Sequence, residues 1–450
     1  MPDTPVFDSQ HLLRALARLP TPRRFWVGFS GGADSTALLQ AMWELRDQLP
    51  APFHAVHFHH GLQSEADDWQ EHCRTFCLEK DIPLHSEKLE IRQVGRSSLE
   101  EESRNCRYRA VAQILDDREM YLTAHHAEDQ AETLFLNLMR GSGVEGLAGI
   151  PVLRNLEKGW VARPLLDCRR AHLEQYLTDR DVHWLTDPSN EDIGFDRNYL
   201  RQQLFPLLEK RWPGVIKRLS RTARNARITA TAMALFIESQ SGDLIRDKLK
   251  MPLHKLLELE PEMQTLIVRQ WLRRHEVPVL PEARLREFLE QVAGSELKNQ
   301  AEVQWEDWMI KRYQRDLWLH RRKPFMTCPE VHWQTGMDLD IGPDSGRLRL
   351  KGSPVDLPGS WLVRARKGGD RIRMLANGPS HKLKKLFQSS FIPPWLRPGI
   401  PVLVWDDEPV ALGDWLIGHR LQAWLYENDL KLKWQPADPV LARLRMDCQR

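Results

Sequence analysis

The chain has 450 residues and no uninterrupted apolar run near the ~20 residues that crossing a membrane requires. Its one Ser-Gly-Gly turn, Ser30-Gly31-Gly32, is not followed by Gly-Lys-Ser/Thr, which excludes a Walker A loop and points away from γ-phosphate chemistry. There are only six cysteines, at 73, 77, 106, 168, 328 and 448. Cys73 and Cys77 sit one helical turn apart with no second pair to complete a zinc site, and no HExxH is present. The Cys-x-x-Cys pair expected of a sulfur-transferring enzyme is missing too, which argues against a thiolase. The N-terminal MPDTPVFDSQHLLRAL lacks the basic segment and apolar core of a secretory signal. The expectation is a cytoplasmic protein with reduced thiols.

Net charge is also small, at +2. Its distribution is uneven. Residues 201–227 hold eight Lys/Arg and one acidic residue, residues 361–399 hold nine and one, and the remainder is acidic by 13 charges. Two basic stretches in an acidic chain are the electrostatic footprint of a polyanion binder.

What is present begins with Phe25–Phe29, an apolar run of strand character, followed by Ser30-Gly31-Gly32-Ala33-Asp34-Ser35 and an apolar-periodic helix. Strand, glycine loop and helix start together make an anion site. The first helical amides have no intrahelical partner, and the dipole adds positive charge there. The glycines let backbone approach an oxyanion. Ser30 and Ser35 add hydroxyls. Asp34 would repel a bound phosphate unless it holds a divalent cation, so Mg²⁺ is expected at Asp34. The loop resembles the signature of the PP-loop ATP pyrophosphatases, which cleave ATP between its α- and β-phosphates. That resemblance implies ATP held by Ser30, Gly31, Gly32, Ala33, Asp34 and Ser35.

Residues 25–140 alternate between strands (Phe25–Phe29, Phe53–Phe58, Leu84–Leu89, Met120–Thr123) and helices (34–46, 64–80, 99–115, 127–139). The expectation is an α/β fold with a doubly wound parallel sheet, whose ligands bind beyond the C-terminal strand ends. The chemically unusual residues follow strand candidates: Ser30–Ser35, then His57, His59, His60 and Gly61, then His125, His126, Glu128 and Asp129. Alternation along a strand keeps His57, His59 and His60 from converging on one metal. Contact with nucleotide or phosphate, His57 included, or plain structural hydrogen bonding is expected of these histidines. Asp129 and Glu132 are three apart on a helix and share a face. They suit a pocket for a substrate ammonium group. Gly141, Gly143, Gly146 and Gly149 suggest a flexible, gating loop. Arg104, Arg107 and Tyr108 form one helical patch, a candidate phosphate clamp.

The longer strings are more restrictive. HFHHGLQSEADDW (57–69), TAHHAEDQAETLFLNLMRGSGVEGLAGI (123–150), RPLL (163–166) and DPSNEDIGFDRNYLR (187–201) resemble the tRNA(Ile)-lysidine synthase family, over most of 24–227 and again over 361–415. The chain departs from the family pattern at Ser103, Glu128 and Gln63, where Ala, Asp and Arg are common. The resemblance implies a ligase that joins free L-lysine to C2 of the cytidine at the first position of the CAU anticodon of an isoleucine tRNA. It would act through an adenylated cytidine, release AMP and pyrophosphate, and change the codon read from AUG to AUA. Asp129 and Glu132 would hold lysine. Arg104 and Arg107 would act near the phosphates or the reacting nucleotide, making Asp34, Arg104, Arg107, Asp129 and Glu132 the catalytic set.

Beyond residue 215 a helix with an apolar seam is expected to 237, carrying Arg218, Arg221, Arg224 and Arg227 at every third position, a row that winds around the rod. With Arg201 these are candidate tRNA contacts. Further helices (253–257, 263–274, 281–291) and short strands (303–305, 308–312, 317–320) follow. The C-terminal part reads as α+β, with Arg364, Arg366, Lys382, Lys384 and Lys385 as phosphate contacts. Trp395, Trp405, Trp415, Trp424 and Trp434 are read as core. The expected domains are 1–215 (PP-loop, adenine nucleotide alpha hydrolase-like), 216–322 (mostly helical) and 323–450 (tRNA recognition). The sequence leaves the oligomeric state open, a homodimer included.

Overall fold

A computed structural model describes residues 7–59, 66–89, 99–187, 192–294, 301–322, 327–334, 338–343, 345–353, 356–390 and 392–442. His60, Gly61, Gln63 and Cys448 lie outside these residues. The chain forms two compact units, Met1–Leu235 and Phe236–Arg450.

The first unit runs α1 (Ser9–Leu16), β1 (Phe25–Gly28), α2 (Ala33–Glu44), β2 (Phe53–His59), α3 (Ala66–Glu79), β3 (Leu84–Lys88), α4 (Leu99–Ile114), β4 (Met120–Leu122), α5 (Ala127–Met139), α6 (Val144–Leu147), β5 (Leu153–Leu156), β6 (Gly159–Ala162), α7 (Arg170–Thr178) and α8 (Asp196–Tyr199). A π-helical turn (Leu200–Leu204), α9 (Phe205–Arg211) and α10 (Val215–Ile245) follow, α10 passing into the second unit. The sheet order is β3-β2-β1-β4-β6-β5. All neighbours are parallel except the β5–β6 hairpin, which closes one edge.

Both faces of the sheet are buried, as a parallel sheet requires. On β1, Phe25 and Val27 join the core with α2, while Trp26 points to the opposite core with Val56, Val111, Tyr121 and Val161. Leu38, Leu39 and Met42 of α2 are fully buried, and truncating any one to Ala costs about 2–5 kcal/mol. The chain goes from β1 outward to β2 and β3, then returns to place β4 on the other side of β1. That reversal puts a crevice between the C-terminal ends of β1 and β4, where a doubly wound sheet binds its ligand.

In the second unit, Leu253–Leu257, Pro261–Arg274 and Glu282–Gly294 are helices. A four-stranded antiparallel sheet joins Lys250–Pro252, Asp316–Arg321, Trp308–Tyr313 and Glu302–Trp305 in that order. A five-stranded antiparallel sheet is centred on Val402–Trp405. Trp405 and Trp434 are buried in its core, and Trp395, Trp415 and Trp424 pack against it. Trp405 stacks on Trp361 at 5.3 Å, so the ten-residue tryptophan spacing serves packing.

Candidate active site

The loop after β1 is shaped by its own hydroxyls. The Ser30 amide donates to Ser35 Oγ at 3.2 Å, and Ser35 Oγ donates to the Gly32 carbonyl at 3.0 Å. Gly31 has φ +82°, and a Cβ there would lie 2.8 Å from Leu185 Cδ1. Only glycine fits both the left-handed backbone and the close approach of Leu185, whose amide donates to the Gly31 carbonyl at 2.9 Å. Gly32 caps α2 in extended conformation with no side-chain bond, and Asp34 sits in the first turn. Asp34 Oδ1 is buried and accepts no hydrogen bond. That orphaned oxygen is one ligand of the kind a divalent cation such as Mg²⁺ takes.

β4 delivers the opposite wall. His126 is buried with its ring nitrogens among three carboxylates: Nε2 lies 3.5 Å from Asp34 Oδ2 and from Asp129 Oδ2, and Nδ1 lies 3.1 Å from Glu128 Oε2. Burial disfavours its charge, yet Asp129, Asp34 and Glu128 together hold its pKa well above the usual histidine range. This imidazole joins the β1 loop to α5. Neighbouring His125 behaves oppositely. Burial, with Arg163, Arg104 and Arg197 nearby, overrides Asp129 and lowers it to about 4, while Thr123 Oγ1 holds Nδ1 at 2.7 Å. His57 is buried on β2 with Nδ1 2.9 Å from the Phe29 carbonyl, bracing the strand end that leads into the loop. Burial lowers its pKa as well.

Asp129 and Glu132 meet at one guanidinium, that of Arg201. Its guanidinium lies 2.8 Å from Glu132 Oε1 and 3.3 Å from Asp129 Oδ1, and Arg197 comes within 3.9 Å of Glu132 Oε2. Arg201 therefore neutralises part of the acidic pair, with 27% of its side chain still exposed. The π-helical turn at Leu200–Leu204 carries it, and such turns recur at functional sites. The four-residue spacing of Arg197 and Arg201 puts both on one helical face, a signal readable in the sequence. Burial raises the Glu132 carboxyl against the pull of Arg201, while Asp129 is lowered by His126 and His125 despite its burial. Glu132 Oε2 accepts no hydrogen bond.

Arg104 and Arg107 are both exposed on α4. Arg104 lies 5.8 Å from the Tyr108 ring centroid and Arg154 lies 4.6 Å from it. Arg163, at the end of β6 and 2% exposed, donates to Tyr108 Oη at 3.0 Å and to the Pro151 carbonyl at 2.9 Å. The cationic edge is thus broader than the expected pair.

The histidine-rich turns gather no metal set among the described residues. The group of three that comes close enough is His11, Asp167 and Cys168, and His11 is already bonded to Asp167 at 3.2 Å. Cys73 and Cys77 are buried, and burial pushes both thiols up to about 12, so neither offers a thiolate at neutral pH.

A family model described as a PP-loop domain matches residues 7–208, a TilS substrate binding domain matches 251–318, and a TilS substrate C-terminal domain matches 362–434. Curated tRNA(Ile)-lysidine synthases of Xanthomonas axonopodis and Xylella fastidiosa are each 35% identical to this chain, over 96% and 93% of it and 98% and 97% of their own lengths. That of Alkalilimnicola ehrlichii is 36% identical over 92% of this chain and 94% of its own. The chain belongs to the tRNA(Ile)-lysidine synthase family. It is an ATP-dependent ligase whose PP-loop domain carries the crevice between β1 and β4. Among the described residues no helix is long and apolar enough to cross a membrane.

The remaining basic residues divide by partner. Arg221 and Arg224 of α10 are exposed, while Arg218 is exposed but donates to the Trp212 carbonyl at 2.9 Å. Arg227 donates to the carbonyls of Ala148 and Ile150. In the second unit Lys382, Lys384 and Lys385 are exposed and Arg366 is half-buried. Arg364 is buried and bound twice by Asp370, at 2.9 and 3.0 Å, so its charge is spent inside the fold. The glycine-rich segment after α5 is partly helical. It contains α6, and Asn137 Nδ2 donates to the Gly146 carbonyl at 2.8 Å.

Proposed function

We propose that this chain joins free L-lysine to C2 of the cytidine at the first anticodon position of an isoleucine tRNA bearing CAU, changing the codon read from AUG to AUA. The observation that carries the reading is the junction at His126, which brings Asp34 of the nucleotide loop and Asp129 of the acidic pocket to one imidazole. A nucleotide-activating loop and an ammonium-binding pocket then share one reaction space. The relatives are named for the same activity.

In the first step the cytidine C2 carbonyl oxygen attacks the α-phosphate of ATP and pyrophosphate leaves. The loop amides and the start of α2 stabilise the phosphates. Asp34 would hold Mg²⁺, which supplies charge neutralisation for the departing pyrophosphate. Arg104 and Arg107 lie on the exposed edge where the phosphates or the nucleotide would meet cations. In the second step the lysine amine attacks C2 and AMP leaves. Asp129 and Glu132 would hold the ammonium, with Glu132 Oε2 as an acceptor still open. The attacking amine must first lose a proton, since the ammonium form has no lone pair. One of the histidines or the Asp129/Glu132 pair would accept it. Lys382, Lys384 and Lys385 would meet tRNA phosphates.

The test is pyrophosphate release and labelled-lysine incorporation with purified tRNA, with and without lysine. Asp34→Ala should abolish incorporation. Full incorporation by that variant would overturn the mechanism.

A further inference from the structure

α10 is more than a carrier of basic residues. Its first turns pack on the catalytic helix: Ile216 is buried with Ala127 and Ala131 of α5, and Leu219 packs against the same cluster. Ser220 Oγ donates to the Ala127 carbonyl at 3.1 Å, in the first turn of α5, two residues before Asp129. Two turns further along α10, the Arg227 guanidinium donates to the carbonyls of Ala148 and Ile150.

Those two carbonyls belong to a segment that α5 also grips. Gln130, between Asp129 and Glu132 in sequence, accepts from the Ile150 amide at 2.6 Å and donates to the Ile150 carbonyl at 3.2 Å. Gly149 has φ +60°, and a Cβ there would fall 2.4 Å from Gln130 Oε1, so the close seating of this segment needs glycine. The next carbonyl, of Pro151, accepts from Arg163, whose other terminal nitrogen holds Tyr108 under Arg104. One line of contacts therefore runs from Arg227 through residues 148–151 to the acidic helix on one side and to the cationic edge of α4 on the other.

We propose that Arg227 is a positioning residue: by clamping residues 148–150 against Gln130 it sets α5 and, through Arg163 and Tyr108, the α4 edge in register for reaction. This rests on the lysine-ligating reading above. It removes Arg227 from the set of RNA phosphate contacts, although it continues the row begun by Arg218, Arg221 and Arg224. The row itself explains the difference. Three residues turn a helix by about 300°, so each successive arginine is rotated relative to the last. Arg221 and Arg224 remain in solvent, and Arg227 arrives over the loop.

The experiment is steady-state lysine incorporation by the full chain, comparing wild type, Arg227→Ala, Arg227→Lys and Ser220→Ala, with the KM for tRNA measured across salt. Positioning predicts that Arg227→Ala lowers kcat by about tenfold or more, while the KM for tRNA and its salt slope stay at wild-type values. Arg227→Lys should remain impaired, because a shorter point charge does not span two carbonyls as the guanidinium does. A phosphate contact predicts the reverse: kcat holds, KM rises, the slope flattens by about one, and Lys restores function. That pattern would overturn the proposal. Should Arg227→Ala fail to fold, Arg227→Lys with Ser220→Ala decides: reduced kcat at unchanged salt slope supports the proposal, and wild-type kcat in both refutes it. Wild-type enzyme that incorporates no lysine would instead refute the proposed function, so the two failures are distinguishable.

Discussion

Glu128 offers the sharpest quantitative test of the electrostatics around the site. Its carboxylate accepts from Arg169 Nε at 2.6 Å and from the Arg170 amide at 3.0 Å, and lies 3.1 Å from His126 Nδ1. Burial works against the charge, but these partners outweigh it and lower the pKa from an ordinary 4.5 to about 2. A carboxyl whose folded pKa is depressed stabilises the fold above its unfolded pKa and loses that contribution as pH falls toward the folded one. The difference from 4.5 to 2 is worth about 3.4 kcal/mol at pH 7 and about 1.4 kcal/mol at pH 3. Glu128→Gln keeps the shape and deletes the titration, so the stability gap to wild type should shrink by about 2 kcal/mol between those pH values. Because the chain has two units, the readout must be local. Urea titrations at several pH values, with a brief deuterium pulse at a common pH, would follow peptides from α5 and α7. A gap that stays constant from pH 7 to pH 3 would refute the assignment of Glu128 as a buried, paired carboxylate.

Gly31→Ala should lose ATP-dependent pyrophosphate release, because a methyl at φ +82° must displace Leu185; wild-type release would show that the loop tolerates a Cβ. Replacing Lys382, Lys384 and Lys385 together by Ala should weaken tRNA binding and flatten its salt slope by about three, measured by filter binding across salt; an unchanged slope would remove this string from the RNA interface. Arg364→Ala should behave differently, costing about 3–5 kcal/mol of stability by leaving Asp370 buried without its partner, with no change in salt slope. A variant that kept its melting temperature and lost salt dependence would reverse that distinction.

The fold of the first unit was legible where periodicity was strong. α5 begins at Ala127 and ends at Met139 as its apolar spacing implies, and four of the five mutually parallel strands start where their apolar runs start. The fifth, β6, was not read, nor was its hairpin partner β5. Gly159–Ala162 is four residues long, too short for alternation to register, and what fixes it is pairing with β4 across more than thirty residues. α7 escaped for a related reason. Its buried residues Leu173, Tyr176 and Leu177 make one helical stripe, but with Arg169, Arg170 and His172 interleaved the segment reads as polar.

The arginines show where sequence reasoning reaches its limit. A count of charge along the chain treats Arg201, Arg221, Arg227 and Arg364 alike. The structure divides them by acceptor: carboxylates for Arg201 and Arg364, backbone carbonyls for Arg227, solvent for Arg221. The division has a physical rule. A guanidinium next to a buried acid is cheaper paired than hydrated, since the acid would otherwise be left charged in a low-dielectric interior. Arg364 has Asp370 six residues on, joined by a Gly-Gly turn, so its pairing was readable. Arg201 pairs with carboxylates roughly seventy residues away, and only the packing of Leu200 on Ala127 and Ala131 of α5 makes them neighbours. The basic stretch from 201 to 227 is thus two devices in one run of sequence. One end balances the Asp129 and Glu132 carboxylates, and Arg221 and Arg224 stay exposed. Net charge per segment overstates the charge left at the surface by the guanidiniums that internal carboxylates and carbonyls engage.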